Sequence, residues 1–184
     1  TDAPTISARD FSGDEDTWID IDLGAALVDA DGSESLALFV DDLPSGVILS
    51  DGAQQFVGDG TTSVDLDGWN VQTLQIQAPA NNDVDFELTA RAVATESSTG
   101  ESVTTTQTID IEVVAVADAP TLSAGSLVSG DAPDGSWYED SLIELPDLTS
   151  ALSDADSSEA LTLSLGGLPE GTVLSDGAQS VTAG

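Results

Sequence analysis

Cysteine, methionine, histidine and lysine are all missing from the 184 residues, and only two arginines are present. Without cysteine there is no disulfide framework, and without cysteine or histidine no thiolate or imidazole metal site. The same absences remove the usual nucleophile–base pairs of enzymes. A two-carboxylate glycosidase stays formally open, but acids on repeated turns need no catalytic role, so no enzymatic activity is expected. Lysine and arginine are too scarce to neutralise phosphates. Nucleic acid is therefore excluded as a partner, and an anionic membrane surface is disfavoured on the same ground. No run is apolar and long enough to cross a bilayer, so no direct membrane insertion is expected. No signal peptide is visible. Thr1 reads as a cut from a longer chain, which leaves room for an export signal outside these residues.

Acid is what the chain has in excess. Asp and Glu number 35, the net charge is -33, and 40 % of the residues are hydrophobic. That much like charge repels itself in a compact state unless cations offset it. High charge can also signal disorder. Here Val, Ile and Leu fall in regular alternation, which disorder does not require and a half-buried strand does.

Along the chain, Thr5-Ile6-Ser7-Ala8 after Pro4 reads as an edge strand, because proline cannot donate to a ladder. In Trp18 to Leu23, Ile19, Ile21 and Leu23 alternate with Asp20 and Asp22, so the apolar set faces a core. Leu36, Leu38 and Val40 repeat that period. Leu43-Pro44-Ser45-Gly46 is a turn, Val47-Ile48-Leu49 a short strand, and Gly58-Asp59-Gly60 another turn. Two long strands follow. The first puts Phe86, Leu88, Ala90, Ala92 and Ala94 on one face; the second puts Val103, Thr105, Gln107, Ile109, Ile111, Val113 and Ala115 on one face. No stretch sustains a 3.6-residue period. Short strands with frequent turn signals predict an all-β antiparallel Greek-key sandwich.

The chain also repeats. Asp2-Ala3-Pro4-Thr5 recurs as Asp118-Ala119-Pro120-Thr121, 116 residues on. Asp29-Ala30-Asp31, Leu43-Pro44 and Leu49-Ser50-Asp51-Gly52-Ala53 recur 125 residues on, as Asp154-Ala155-Asp156, Leu168-Pro169 and Leu174-Ser175-Asp176-Gly177-Ala178. The difference is an insert around Gly130-Asp131-Ala132-Pro133-Asp134-Gly135, which has loop chemistry. Self-similarity at this spacing means tandem modules. Residues 1–117 are expected to form one sandwich and 118–184 the first half of a second. The second lacks counterparts of the last strands, so strands from another chain or from outside these residues are expected to complete it.

Acidic clusters stand at the loops: Glu15 with Asp16, Asp29 with Asp31, Asp83 with Asp85, and the junction Asp118. Taken singly, each aspartate is explained as a solvated turn residue. As a set repeated in both units they favour a shared ligand. Crowded carboxylates without a cation cost repulsion and desolvation, and Ca2+ accepts six to eight oxygens at flexible geometry where Mg2+ keeps its waters. The run from Asp29 is no EF-hand, since its glycine comes too early and Val40 stands where the closing glutamate belongs.

In Glu15-Asp16-Thr17, Asp29-Ala30-Asp31-Gly32-Ser33-Glu34, Leu43-Pro44-Ser45-Gly46, Gly58-Asp59-Gly60, the strand Phe86 to Glu96, and Val116-Ala117-Asp118-Ala119-Pro120, the chain resembles the cadherin-like, immunoglobulin-fold repeats of large bacterial RTX-type surface adhesins. The resemblance implies a calcium-stabilised spacer, secreted or on the cell surface, whose partners are neighbouring repeats of the same polypeptide. It also implies the ligands. Glu15 with Asp16, and Asp83 or Asp85, would come from the first unit, Asp118 from the linker, and Asp154 with Asp156 from the second. Asp29 and Asp31 would serve a preceding module, and Glu139 and Asp140 the next junction. The linker is poorer in Asp and Asn than in true cadherins, which implies fewer ions per junction. Ser157 stands where the first unit has Gly32, a departure in the second loop. The alternative is a polysaccharide-binding module with a glycan partner. Carbohydrate sites favour aromatic platforms, and of three Trp, one Tyr and four Phe the adjacent pair Trp137-Tyr138 is the candidate, with a local core contact as its plainer explanation.

Overall fold

In a computed structural model, the described residues are 1–29, 31–126, 141–154 and 158–184. They form two compact units: Thr1–Asp118 with Asp154–Ser158, and Ala119–Ser153 with Glu159–Gly184. The architecture is all-β, with no α-helix among the described residues. None of the described helical turns is long and apolar enough to cross a membrane.

The first unit contains β1 (Thr5–Ser7), β2 (Phe11–Asp14), β3 (Ile19–Asp20), β4 (Gly24–Ala26), β5 (Glu34–Asp41), β6 (Ile48–Ser50), β7 (Gln55–Val57), β8 (Val64–Asp65), β9 (Gln75–Gln77), β10 (Phe86–Glu96) and β11 (Ser102–Val114). One sheet has the order β2-β11-β10-β5-β8 and the other β3-β9-β6-β7, with β1 and β4 paired at the side. Every pairing in the unit is antiparallel except β2 with β11. Connections from β5 to β6 and from β9 to β10 pass from one sheet to the other. A single apolar cluster joins both sheets: Val40, Leu88, Ala90, Ile109 and Ile111 from the first with Ile19, Leu49 and Ile76 from the second. This is a sandwich, and the alternation along the long strands produces it. On β10 the inward Leu88, Ala90, Ala92 and Ala94 are completely buried, while the outward residues are half-buried or exposed.

In one place the ladder, and in another the full burial, is shorter than the alternation. In the run from Trp18 to Leu23 only Ile19 and Asp20 are strand, yet Ile21 and Leu23 are buried as expected. Ile21 N–H still donates to Leu74 O at 2.9 Å. Along β11, Ile109, Ile111 and Val113 are buried but Val103, Thr105 and Gln107 are half-buried. The half-buried part borders the N-terminal segment, which is bonded by side chains: Thr105 Oγ1 donates to Pro4 O at 2.6 Å and Gln107 Nε2 to Ala8 O at 2.9 Å.

The second unit contains β12 (Thr121–Ala124), β13 (Leu148–Ala151), β14 (Val173–Ser175) and β15 (Ser180–Thr182). It reproduces the first unit's local pairings residue for residue. Thr5↔Ala26, Ile6↔Ala25 and Ser7↔Gly24 become Thr121↔Ala151, Leu122↔Ser150 and Ser123↔Thr149. Ile48↔Val57, Leu49↔Phe56 and Ser50↔Gln55 become Val173↔Thr182, Leu174↔Val181 and Ser175↔Ser180. The β5 equivalent does not recur: residues 159–166 carry no strand.

One position separates the two copies sterically. Gly58 N–H donates to Val47 O at 2.7 Å and its carbonyl accepts from Gly46 N at 3.0 Å. A Cβ there would lie 2.1 Å from Pro44 O and 2.8 Å from Leu43 O. The equivalent residue in the second unit is Ala183, with the equivalent bonds to Thr172 O and from Gly171 N, each 2.8 Å. The 168–169 corner must therefore leave room that the 43–44 corner does not. Gly58→Ala is expected to lower the first unit's Tm at a cost of about 1–3 kcal/mol, the range for overpacking. Ala183→Gly should cost less than half of that, both read by thermal denaturation.

Candidate metal centres at the ends of the first unit

Strand β10 runs between two groups of carboxylates. Its eleven residues at about 3.4 Å each separate them by roughly 35 Å.

The group at the start of β10 gathers Glu15, Asp16, Asp85 and Asp118. Glu15 is buried in the turn after β2. Its N–H donates to Val114 O at 2.9 Å, and its Oε1 accepts from Val116 N at 2.6 Å. Asp85 Oδ1 accepts from Val113 N at 2.8 Å on the same stretch of chain. Asp16 has a positive φ of 56°, and so does Asn81 at 54°. Asp16 Oδ1 accepts from Asn81 N at 2.8 Å, and Asn81 Nδ2 donates to Asp118 Oδ2 at 3.1 Å. Asn81 thus ties the turn carboxylate to the linker carboxylate. Short polar side chains tolerate this left-handed region best, and a positive φ cannot be read from spacing alone. Asp83 is half-buried in the same loop. Asp154 is buried, belongs to the first compact unit, and accepts from Ser158 Oγ at 3.4 Å. Asp156, Glu139 and Asp140 lie outside the described residues, as do Ser157 and the pair Trp137-Tyr138.

The group at the far end contains Asp29 and Asp31 and adds Glu34 and Glu96. Asp29 Oδ1 accepts from Asp31 N at 3.1 Å, and Asp31 Oδ1 from Ser33 N at 2.8 Å. Ser33 Oγ donates to Glu96 Oε2 at 3.1 Å, which closes the loop onto β10. Glu34 and Glu96 are register partners across β5 and β10, and like charges directly opposite each other destabilise a sheet. The Glu34 side chain is only 3 % exposed. Its Oε1 accepts from Asp2 N at 3.2 Å, and the terminal ammonium lies 3.8 Å away. Its Oε2 is buried with no hydrogen-bond partner among the described residues. Asp31 is held below the usual carboxylate range by the Ser33 hydroxyl and N–H. Glu96 is held low by Ser98, while the charge of Asp31 pushes it the other way.

Among the described residues, no three carboxylates already converge as a closed cation cage. The donor chemistry nonetheless fits a hard divalent ion: every side-chain donor is oxygen, and one buried carboxylate oxygen is orphaned beside a second carboxylate. Recurrence by itself does not mark a metal ligand. Asp51 recurs as Asp176, and both are consumed by turns. Asp51 accepts from Ala53 N, Gln54 N and Asn70 N at 2.7–2.9 Å, and Asp176 from Ala178 N and Gln179 N. Asp41 is likewise held by Arg91 and Ser63.

The first unit also has a groove of about 730 Å³ lined by Arg9, Phe11, Asp20, Asp22, Gln72 and Gln75 among others. Phe11 is buried beneath the Arg9 guanidinium, 5.4 Å from its ring centre, so the groove presents no open aromatic face.

No protein-family model matches the chain, and no curated protein sequence matches it.

Hydrogen bonds from Asn70, Gln54 and Ala53 hold the Asp51 carboxyl below its usual range. A depressed folded value stabilises above the unfolded value and is lost as pH falls through the folded one. The Tm deficit of Asp51→Asn is therefore expected to be full above about pH 5 and to shrink steadily towards pH 2. A deficit independent of pH would show that the charge is irrelevant.

Proposed function

We propose that this chain is a calcium-stabilised spacer segment of cadherin-like repeats, exposed on or secreted from a bacterial cell as part of a large adhesin. The observation that carries the reading is the placement of carboxylate groups at both ends of one sandwich, one of them reaching the linker through Asn81 and Asp118. In a chain of net charge -33, both ends carry negative charge that the protein's two arginines do not meet. A bound Ca2+ supplies the missing positive charge. Glu15, Asp16, Asp83, Asp85, Asp118, Asp154 and Asp156 would hold it at the junction. Asp29, Asp31, Glu34 and Glu96 would hold it at the far end.

Mechanically, a cation that draws linker and turn carboxylates together reduces hinge freedom, so that a string of modules behaves as a rod projecting a binding region. Affinities of extracellular modules, roughly 10⁻⁴–10⁻³ M, suffice for that. The glycan-binding alternative draws no support from the groove, which lacks the stacking surface such ligands use.

Ca2+ at about 1 mM is expected to raise Tm by a few degrees over a chelated sample, corresponding to about 0.4–1.4 kcal/mol per site at these affinities. Mg2+ should do less. Asp118→Asn should remove the junction's share. Glu34→Gln should raise Tm in chelator, by relieving the opposition to Glu96, while reducing the calcium-dependent rise. A melting curve unmoved by Ca2+ ends the proposal.

A further inference from the structure

The first unit leaves part of one sheet edge open, and the second unit closes the same part. β3 is an outer strand of the β3-β9-β6-β7 sheet. Ile21 N–H donates to Leu74 O, so the main-chain groups of Asp20 and Asp22 point the other way, off the edge. β1 fills the lane beyond that edge only beside β4, ending at Ser7↔Gly24. The chain then leaves for the other sheet as β2. Asp22 N–H and C=O make no hydrogen bond among the described residues. In the second unit the counterpart of Arg9 is Gly125, 116 residues on, and that of Asp22 is Asp147, 125 residues on. There Gly125 N–H donates to Asp147 O at 3.3 Å. The second unit also has one extra residue, Pro146, between the counterparts of Ile21 and Asp22. Proline has no N–H to offer a new strand, and a Cβ on Gly125 would lie 3.0 Å from Pro146 Cβ. Proline and a covering segment are two ways that proteins blunt an edge. The first unit uses neither at residues 20–22.

This open stretch helps line the groove of about 730 Å³, a volume within the range of ligand sites. Asp20 and Asp22 are exposed and, two residues apart, share a face. Asp20 Oδ1 accepts from Gln75 Nε2 at 2.8 Å, and neither aspartate has an ion pair among the described residues. We infer that the groove takes an extended segment of another protein, pairing antiparallel with residues 20–22 in the lane that β1 leaves, with Lys or Arg at the two alternate positions opposite Asp20 and Asp22. Calcium plays no part in it. Main-chain bonds give such a complex its affinity and the alternate side chains its specificity. Opposite charges facing each other across strands stabilise the pairing. Arg9, held over the Phe11 ring in the same groove, repels a cation that Asp20 and Asp22 attract, which fixes the face the incoming strand presents. No stretch of these residues has the required pattern, since they contain no lysine and their two arginines are Arg9 and Arg91. A second copy is also disfavoured, because each carries -33 and the two repel.

The test titrates the 15N-labelled protein, in chelator at about 0.15 M salt, with the capped peptide Thr-Val-Lys-Val-Lys-Val-Thr. Saturation at one peptide per chain is expected, with shifts confined to the groove and amide exchange at Asp20 and Asp22 slowed about tenfold. Residues 145–147 should not respond. The same peptide methylated at the main-chain nitrogen of both lysines keeps its charge but loses the donors that face the edge, and it should give no slowing. Asp20→Asn combined with Asp22→Asn should raise the Kd of the parent peptide roughly fivefold, the scale of two cross-strand charge pairs. No slowing with the parent peptide overturns the inference. Equal slowing with the methylated peptide also overturns it, because charge alone would then hold the ligand, as does an unchanged Kd in the double variant. Slowing that exists without peptide and fades on dilution overturns it too, since the occupant would then be a second copy.

Discussion

The pairing of β10 along both of its edges is the constraint on which the rest of the first unit depends. β5 is matched to it from Glu34 to Asp41 and β11 from Ser102 to Ile111. Its inward Leu and Ala residues place one sheet over the other, and its two ends set where the carboxylate groups stand. The second unit shows what happens without it. The same leucine spacing at 161, 163 and 165 has a strand pair on either side in sequence and no strand between. Alternation is thus a condition for a strand and not a sufficient one; the ladder needs a partner before the entropy of ordering the chain is met.

The same register creates the electrostatic problem. It sets Glu34 opposite Glu96 and Glu87 opposite Asp110. The second pair is exposed, where water screens it. The first includes a carboxylate whose Oε2 is buried and unmet. Two neighbouring like charges, one of them desolvated, are a standing cost that counter-ions or a bound cation reduce. The fold and the ionic surroundings are therefore coupled through a few named side chains, rather than through net charge alone.

Much of this was legible beforehand. The faces of residues 86–96 and 109–113 follow from period-two patterning, because each strand has one buried side there; Ala115, expected on the same face, is exposed beyond the end of β11. The repeat at offsets of 116 and 125 also survives as matching strand-pair registers. What escaped depends on pairing across long separations. Glu34 and Glu96 are 62 residues apart in sequence and meet only once β5 and β10 are in register. Glu34 closes the acidic run from Asp29, a faint signal that spacing could have raised. Asn81 escaped because its role rests on a left-handed backbone and a hydrogen bond on each side. Recurrence misleads in the opposite direction at Asp51 and Asp176, whose carboxylates accept from backbone donors of their own turns. A repeated aspartate records a repeated turn as readily as a repeated ligand.

Tandem copies of one fold risk exchanging strands as they form. Here the glycine at 58 and the alanine at 183 act against it. Were residues 180–183 to take the place of 55–58 beside β6, the extra methyl would meet the Pro44 carbonyl at 2.1 Å. The corner would have to open before the intruding segment could seat. A single carbon atom thus helps the first repeat refuse the second's strand.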